Sequence, residues 1–186
     1  KKFEIIIVND EPGKLSKNIL SAIKKKDKRI KIINNTKNIG AGRSRNKAIN
    51  VAKGKYIAFI DSDDLWKKNK LKTQINIMRK FNYNVSHTAY YIIDNNDKKL
   101  ALRKSKNLNY KTLKDSCDIG LSTVIINKII LKKDIMFSNY ITKEDYYLWL
   151  KITKHGEIFH YIDQPLSYWR KTHNSLSSSI IQKFID

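Results

Sequence analysis

Residues 38–66 read Asn-Ile-Gly-Ala-Gly-Arg-Ser-Arg-Asn-Lys-Ala-Ile-Asn-Val-Ala-Lys-Gly-Lys-Tyr-Ile-Ala-Phe-Ile-Asp-Ser-Asp-Asp-Leu-Trp. The stretch divides into four parts. A polar loop runs to Gly42. Residues 43–53 suit a helix, with Ala48, Val51 and Ala52 as its small apolar face and Gly54 as its stop. Residues 56–60 form a short, wholly apolar run that reads as a buried strand. That strand breaks into Asp61-Ser62-Asp63-Asp64. In open α/β sheets, ligands bind at the carboxyl ends of strands, so an acidic turn there is a candidate site. Carboxylates this close repel one another, and a hard divalent cation offsets the repulsion. Mg²⁺ takes one or two protein carboxylates and fills its other positions with phosphate oxygens and water. The competing reading is that Asp63 or Asp64 caps the helix that follows.

Outward from this stretch, strand and helix patterns alternate in units of about 25–30 residues, as in doubly wound α/β sheets. Residues 3–8 are apolar apart from Glu4 and read as an interior parallel strand buried on both faces. Leu15, Ile19, Ala22 and Ile23 recur at helical spacing, and residues 30–33 form a second strand. Leu71, Ile75 and Met78 mark a helix after the acidic turn. The second half is less regular. Residues 85–93 read as a strand, with a turn at 95–97 leading to a short partner, and 121–126 as another strand. Residues 142–154 make a helix with Leu148, Trp149 and Ile152 on one side. Two late strands are expected at 158–162 and 166–169. Trp66, Trp149 and Trp169 read as core residues. The expected organisation is a single domain, with a nucleotide-binding half at 1–84 and an acceptor or catalytic half at 85–186.

Composition narrows the classes. With 186 residues and 41% hydrophobic content, the chain is long enough for a real core. Its one cysteine, Cys117, excludes an intrachain disulfide and any Cys-based zinc site. No run reaches the roughly 18 apolar residues that span a bilayer. The 38 Lys and Arg against 17 Asp and Glu give a net charge of +21, which favours an anionic partner. The lysines are scattered in short clusters, and no nucleic-acid recognition module is visible, so no specific nucleic-acid partner is expected.

Residues 38–66 resemble the core of family 2 glycosyltransferases, which have the GT-A fold. The pattern N-x-G-x-x-x-x-R-N-x-[AG]-[IL]-x-x-A-x-G-x-[YF]-[IVL]-x-[FW]-[LI]-D-x-D-D is long and specific. Residues 3–10 resemble the family's second strand, 143–150 its E-D-x-x-L-W helix, and 168–177 its late Y-R-x-H-x-x-S-x-S segment. Members usually carry a strand and helix ahead of the segment that opens this chain, so an N-terminally incomplete domain is expected.

The resemblance implies a metal-dependent, inverting transfer from a nucleotide-sugar, a UDP-sugar by expectation, to a glycan or lipid-linked acceptor in surface polysaccharide synthesis. It implies Asp145 as general base. Asp10, Arg43, Arg45 and Asp61 would face the donor nucleotide. Asp63 and His173 would hold Mn²⁺ or Mg²⁺. Gly120 and Glu144 would line the donor-sugar and acceptor side, and Arg170 and Lys171 would meet the diphosphate. Without the resemblance, Asp145 reads as part of a capping box with Thr142. The expected location is cytoplasmic, with peripheral contact to an anionic membrane through clusters such as Lys24 to Lys26. Two rival readings remain: another phosphate-handling metal enzyme such as a nucleotidyltransferase, and a basic nucleic-acid-binding module.

Overall fold

The computed structural model describes residues 3–171. β1 (Ile5–Asn9), α1 (Lys14–Lys26) and β2 (Ile30–Asn34) form a βαβ unit whose strands pair in parallel, Ile5 opposite Ile30 and Asn9 opposite Asn34. α2 (Ala41–Val51) packs against β1. A second sheet of six strands takes the rest. Its order is β3 (Tyr56–Ala58), β7 (Ile125–Asn127), β5 (Val85–Ile93), β8 (His160–Arg170) and β4 (Leu65–Trp66). β6 (Lys99–Arg103) joins the outer half of β5. α3 (Lys70–Lys80), α4 (Tyr110–Asp115) and α5 (Glu144–Lys154) complete the elements.

The α/β class holds, but the sheet is mixed where a mostly parallel one was expected. Among the described strands only β1·β2 and β5·β8 are parallel; β3·β7, β4·β8, β5·β6 and β5·β7 are antiparallel. β3 and β4 already belong to the second sheet, so both sheets draw strands from residues 1–84.

β1 is not buried on both faces: Ile5 is exposed and Ile6 to Val8 are half-buried. α1 forms where its periodicity predicts, yet Leu15, Ile19 and Ile23 are exposed among the described residues. Glu4, the interruption in the first apolar run, has a local purpose. Its carboxylate accepts the amides of Lys53 and Gly54 at 2.6 and 3.2 Å and pairs with Lys31 at 2.6 Å. That capture turns the chain after α2, so the helix stops at Val51 rather than at Gly54.

Two further departures have local causes. The expected pair of late strands is one strand, β8. Its register against β5 breaks between Thr88 and Tyr90, where Pro165 pairs with Ala89. Proline has no amide to give a ladder, and a strand tolerates it at such an irregularity. Residues 121–126 are not one strand either: Leu121–Thr123 form a 3-10 turn before β7.

The core lies between the second sheet and α5. Trp149 is fully buried and meets Phe159 edge-on at 5.1 Å; Phe59 meets Phe137 edge-on at 5.3 Å. Trp66 and Trp169 are only half-buried and sit beside the acidic turn, so of the three tryptophans Trp149 alone is core.

Candidate active site

The acidic turn follows β3 by two residues, and the amide of Asp64 closes it onto the carbonyl of Asp61 at 3.1 Å. Its three carboxylates have different fates. Asp63 is exposed. Asp64 is buried, and its Oδ1 accepts the Arg170 amide at 3.0 Å. Burial pushes the Asp64 carboxyl up to about 6, against the opposing hydrogen bonds from Ser122 and the Arg170 amide. Asp61 is also raised by burial, although Arg45 pulls it the other way. Neither Asp63 nor Asp64 caps α3. That helix begins at Lys70, with Asn69 at its cap position and no side-chain cap bond.

Arg45 ties the two halves of the site together. Its position on α2 sends one guanidinium nitrogen to Asp61 at 2.8 Å and another to Glu144 at 2.5 Å. Glu144 opens α5, so a single side chain links the acidic turn to the helix that carries Asp145. α2 reaches this position because Gly42 has no side chain: a Cβ there would lie 2.5 Å from the Ser138 carbonyl and within 3.3 Å of the Glu144 side chain. Asn46 adds a two-way lock, donating to the Phe137 carbonyl and accepting its amide, each at 3.0 Å.

Asp145 sits in the first turn of α5 and accepts the Tyr146 amide at 2.7 Å. The expected alternative role in a capping box with Thr142 does not form. The cap position belongs to Lys143, in the left-handed region at φ 59°, with no side-chain cap bond. Burial raises the Asp145 carboxyl, and Glu144 and Asp61 add to this; the Tyr146 amide and Arg45 oppose it. A carboxyl displaced upward in this way is a stronger base than a free aspartate.

The other expected residues have varied surroundings. Asp10 is structural in its bonding. It accepts the Asn35 side chain at 2.8 Å and the amides of Ile39 and Gly40 at 2.9 and 2.8 Å. These bonds hold the loop where Gly40 takes φ +88° just before α2. They outweigh burial and keep the carboxyl below its ordinary value. Arg43 is exposed and donates to Asn139 at 2.9 Å. Gly120 lines a small cleft with Asp64, Tyr90, Ser122, Thr123, Ser167 and Trp169. Arg170 uses its guanidinium on the carbonyls of Asp63 and Asp94 at 3.0 and 2.7 Å and on the Asp97 carboxylate at 2.6 Å. It braces the acidic turn from behind. Lys171 is exposed, with its amide on Ile93. His173 lies outside the described residues.

Ser122 follows Gly120 in the loop that the resemblance assigns to the donor-sugar and acceptor side, and its hydroxyl accepts the Asp61 amide at 3.0 Å. Among the described residues, no three His, Cys, Asp or Glu side chains converge on a ready-made metal cage. An exposed Asp63 with Asp61 nearby nevertheless matches the chemistry of Mg²⁺ or Mn²⁺, which needs only one or two carboxylates when phosphate oxygens complete the shell.

Comparison with known proteins gives the family and the fold. The family model described as Glycosyl transferase family 2 matches residues 1–137. Two Escherichia coli proteins are each 36% identical to the chain. One, the UDP-Glc:alpha-D-GlcNAc-diphosphoundecaprenol beta-1,3-glucosyltransferase WfgD, aligns with 84% of this chain and 60% of its own length. The other, WfaP, carries the same activity in its name and aligns with 100% of this chain and 72% of its own. The chain thus spans about 60–70% of the length of these relatives. Among solved structures, Staphylococcus aureus TarS 1-349 in complex with UDP-GlcNAc superposes with a TM-score of 0.75 at 22% identity, over 95% of this chain and 52% of that one. At that identity the likeness is one of fold, and it is the GT-A fold the motif implied. The chain belongs to glycosyl transferase family 2.

Proposed function

We propose that this chain is the catalytic region of an inverting, metal-dependent glycosyltransferase. It would move a sugar from a UDP-sugar to a hydroxyl of a glycan or lipid-linked acceptor during surface polysaccharide synthesis. The observation that carries the reading is the Arg45 bridge, which joins a strand-end acidic turn to a helix presenting a carboxyl of raised pKa. The relatives' names, with a UDP-linked donor and a diphosphoundecaprenol acceptor, support the choice of substrates.

In the proposed transfer, the acceptor oxygen forms a bond to the anomeric carbon as the bond from that carbon to the diphosphate breaks. Asp145 takes the hydroxyl proton, and the diphosphate leaves with the bonding pair. Mn²⁺ or Mg²⁺ held by Asp63, with His173 as a further ligand, would neutralise the leaving diphosphate. Glu144 and Arg45 keep Asp145 and the acidic turn in register. The single carboxyl base fits a one-step displacement, which requires no protein nucleophile.

Asp63→Asn tests the metal side. Because the carboxylate is exposed, the variant is expected to melt within a few degrees of the parent and to lose Mn²⁺-dependent UDP binding in calorimetry. Equal metal-dependent binding by both proteins would remove Asp63 as a ligand. A panel of nucleotide-sugars, measured by thermal shift with and without Mn²⁺, identifies the donor. Stabilisation by nucleoside triphosphates alone would favour a nucleotidyltransferase instead.

The same reading places the protein at an anionic membrane surface. No helix among the described residues is long and apolar enough to cross a membrane. β6 is an exposed edge strand with Leu100 and Leu102 at 52% and 43% exposure, flanked by Lys98, Lys99, Arg103, Lys104 and Lys106. Each basic residue near such a surface contributes about 1 kcal/mol, screened by salt. Co-sedimentation with anionic vesicles is expected at low salt and is expected to fade as salt rises. Absence of binding at low salt would leave the charge without a membrane role.

A further inference from the structure

α3 carries a feature its apolar periodicity does not explain. Its most deeply buried positions are Lys70, Gln74 and Met78. The Lys70 side chain is wholly inside. Its Nζ donates to Gln74 Oε1 at 2.9 Å and to the Thr123 carbonyl at 3.4 Å, and lies 4.5 Å from the centre of the Trp66 ring. Burial alone draws the amine down to about 7, with no carboxylate among the causes. A buried amine without a counter-ion is a poor source of stability, since apolar replacement of buried charge is often neutral or stabilising.

What Lys70 touches gives it a purpose. The carbonyls of Ser122 and Thr123 gather donors from three elements. Trp66 Nε1 and Ser167 Oγ meet the Ser122 carbonyl at 2.7 and 3.1 Å. Lys70 Nζ and Gln74 Nε2 meet the Thr123 carbonyl at 3.4 and 2.9 Å. Gln74 is itself held by Ser86, through its carbonyl at 3.2 Å and its hydroxyl at 3.0 Å. The hydroxyl of the same Ser122 receives the Asp61 amide at 3.0 Å and bonds Asp64.

We propose that Lys70 is a positioning residue for the donor site, acting through the Leu121–Thr123 turn and the Ser122 hydroxyl to set the acidic turn at Asp61 to Asp64. It touches no substrate. The Lys70 amine donates to the Thr123 carbonyl and lies against the Trp66 ring, whose indole N–H donates to the neighbouring Ser122 carbonyl. The consequence for donor binding rests on the glycosyltransferase reading; the mechanical coupling of Lys70 to Asp61 does not.

The test uses Lys70→Met in the full-length protein, with two readouts. The first is amide hydrogen exchange at Asp61. Loss of the positioning contact is expected to speed it by about tenfold or more, while the melting temperature stays equal to the parent's or rises. The second is steady-state transfer, where the donor KM is expected to rise by a similar factor and the acceptor KM to hold. A purely structural lysine gives the opposite pattern, a lower melting temperature with unchanged Asp61 exchange and donor KM in the folded protein, and that result would overturn the proposal. Should Lys70→Met fail to fold, Trp66→Phe removes the indole donor to Ser122 while leaving the amine. It is expected to shift Asp61 exchange in the same direction, and unchanged exchange in that variant overturns the proposal too. If the parent turns over no nucleotide-sugar, the functional reading fails, while the exchange measurement still decides the role of Lys70.

Discussion

Asp145→Asn is expected to lower sugar transfer by about 10²- to 10⁴-fold while leaving donor binding near the parent value, the range general-base catalysis supplies. The amide has the shape of the carboxylate and can still accept the Tyr146 N–H that Asp145 accepts at 2.7 Å. It cannot take up a proton. Stability is expected to change by less than about 1 kcal/mol, the usual size of a first-turn carboxylate's interaction with a helix dipole. Single-turnover transfer, donor titration and a thermal melt separate these quantities. A variant that transfers within a few-fold of the parent would make Asp145 a helix-end carboxylate and move the base elsewhere. The parent's pH profile offers a second check. Burial raises the Asp145 carboxyl, so the rate is expected to fall on acidification at a higher pH than a free aspartate would give.

Much of this site could be read from local pattern, and the missing parts have a common cause. Residues 43–53 and 56–61 were legible because helix periodicity, a short apolar run and an acidic break lie within one contiguous stretch. β5 was legible over its full length, Val85–Ile93, because it is central and mostly buried. What could not be read depends on partners distant in sequence. The sheet's mixed pairing is set by β7 and β8, which reach β3 and β5 from more than thirty residues away. Lys70 and Gln74 look like solvated helix residues in a chain of net charge +21, and only the Thr123 carbonyl beneath them shows otherwise. Asp10 is similar. A turn-forming aspartate followed by Glu11, Pro12 and Gly13 suggests a local role, but its acceptors are filled by Asn35, Ile39 and Gly40. Glu144 beside Asp145 marks a helix start in sequence, and nothing there shows that Arg45, ninety-nine residues away, is its partner.

That long-range pair carries the other large effect. Arg45→Met is expected to cost about 1–3 kcal/mol of stability and to reduce transfer by at least tenfold, with the loss greatest at low pH. Removing one member of a well-buried ion pair costs about 3–5 kcal/mol. Here the guanidinium keeps 22% of its surface exposed and Asp61 36%, so water and salt screen part of that. The catalytic consequence is electrostatic. Arg45 is a cation among Asp61, Glu144 and Asp145, and its charge lowers the carboxyls of Asp61 and Asp145 against the burial that raises them. Without it, both move further up. A base must be ionised to act, so the acid limb of the transfer profile is expected to shift to higher pH, and the variant loses more activity on the acid side of the parent's profile than on its alkaline side. Arg45→Lys separates charge from geometry. One ammonium restores most of the field but cannot span Asp61 and Glu144 as the guanidinium does at 2.8 and 2.5 Å. It should therefore recover the parent's acid limb while keeping a reduced maximal rate. An unshifted limb in Arg45→Met would mean that the bridge acts through geometry alone and that the pKa of Asp145 is set by burial.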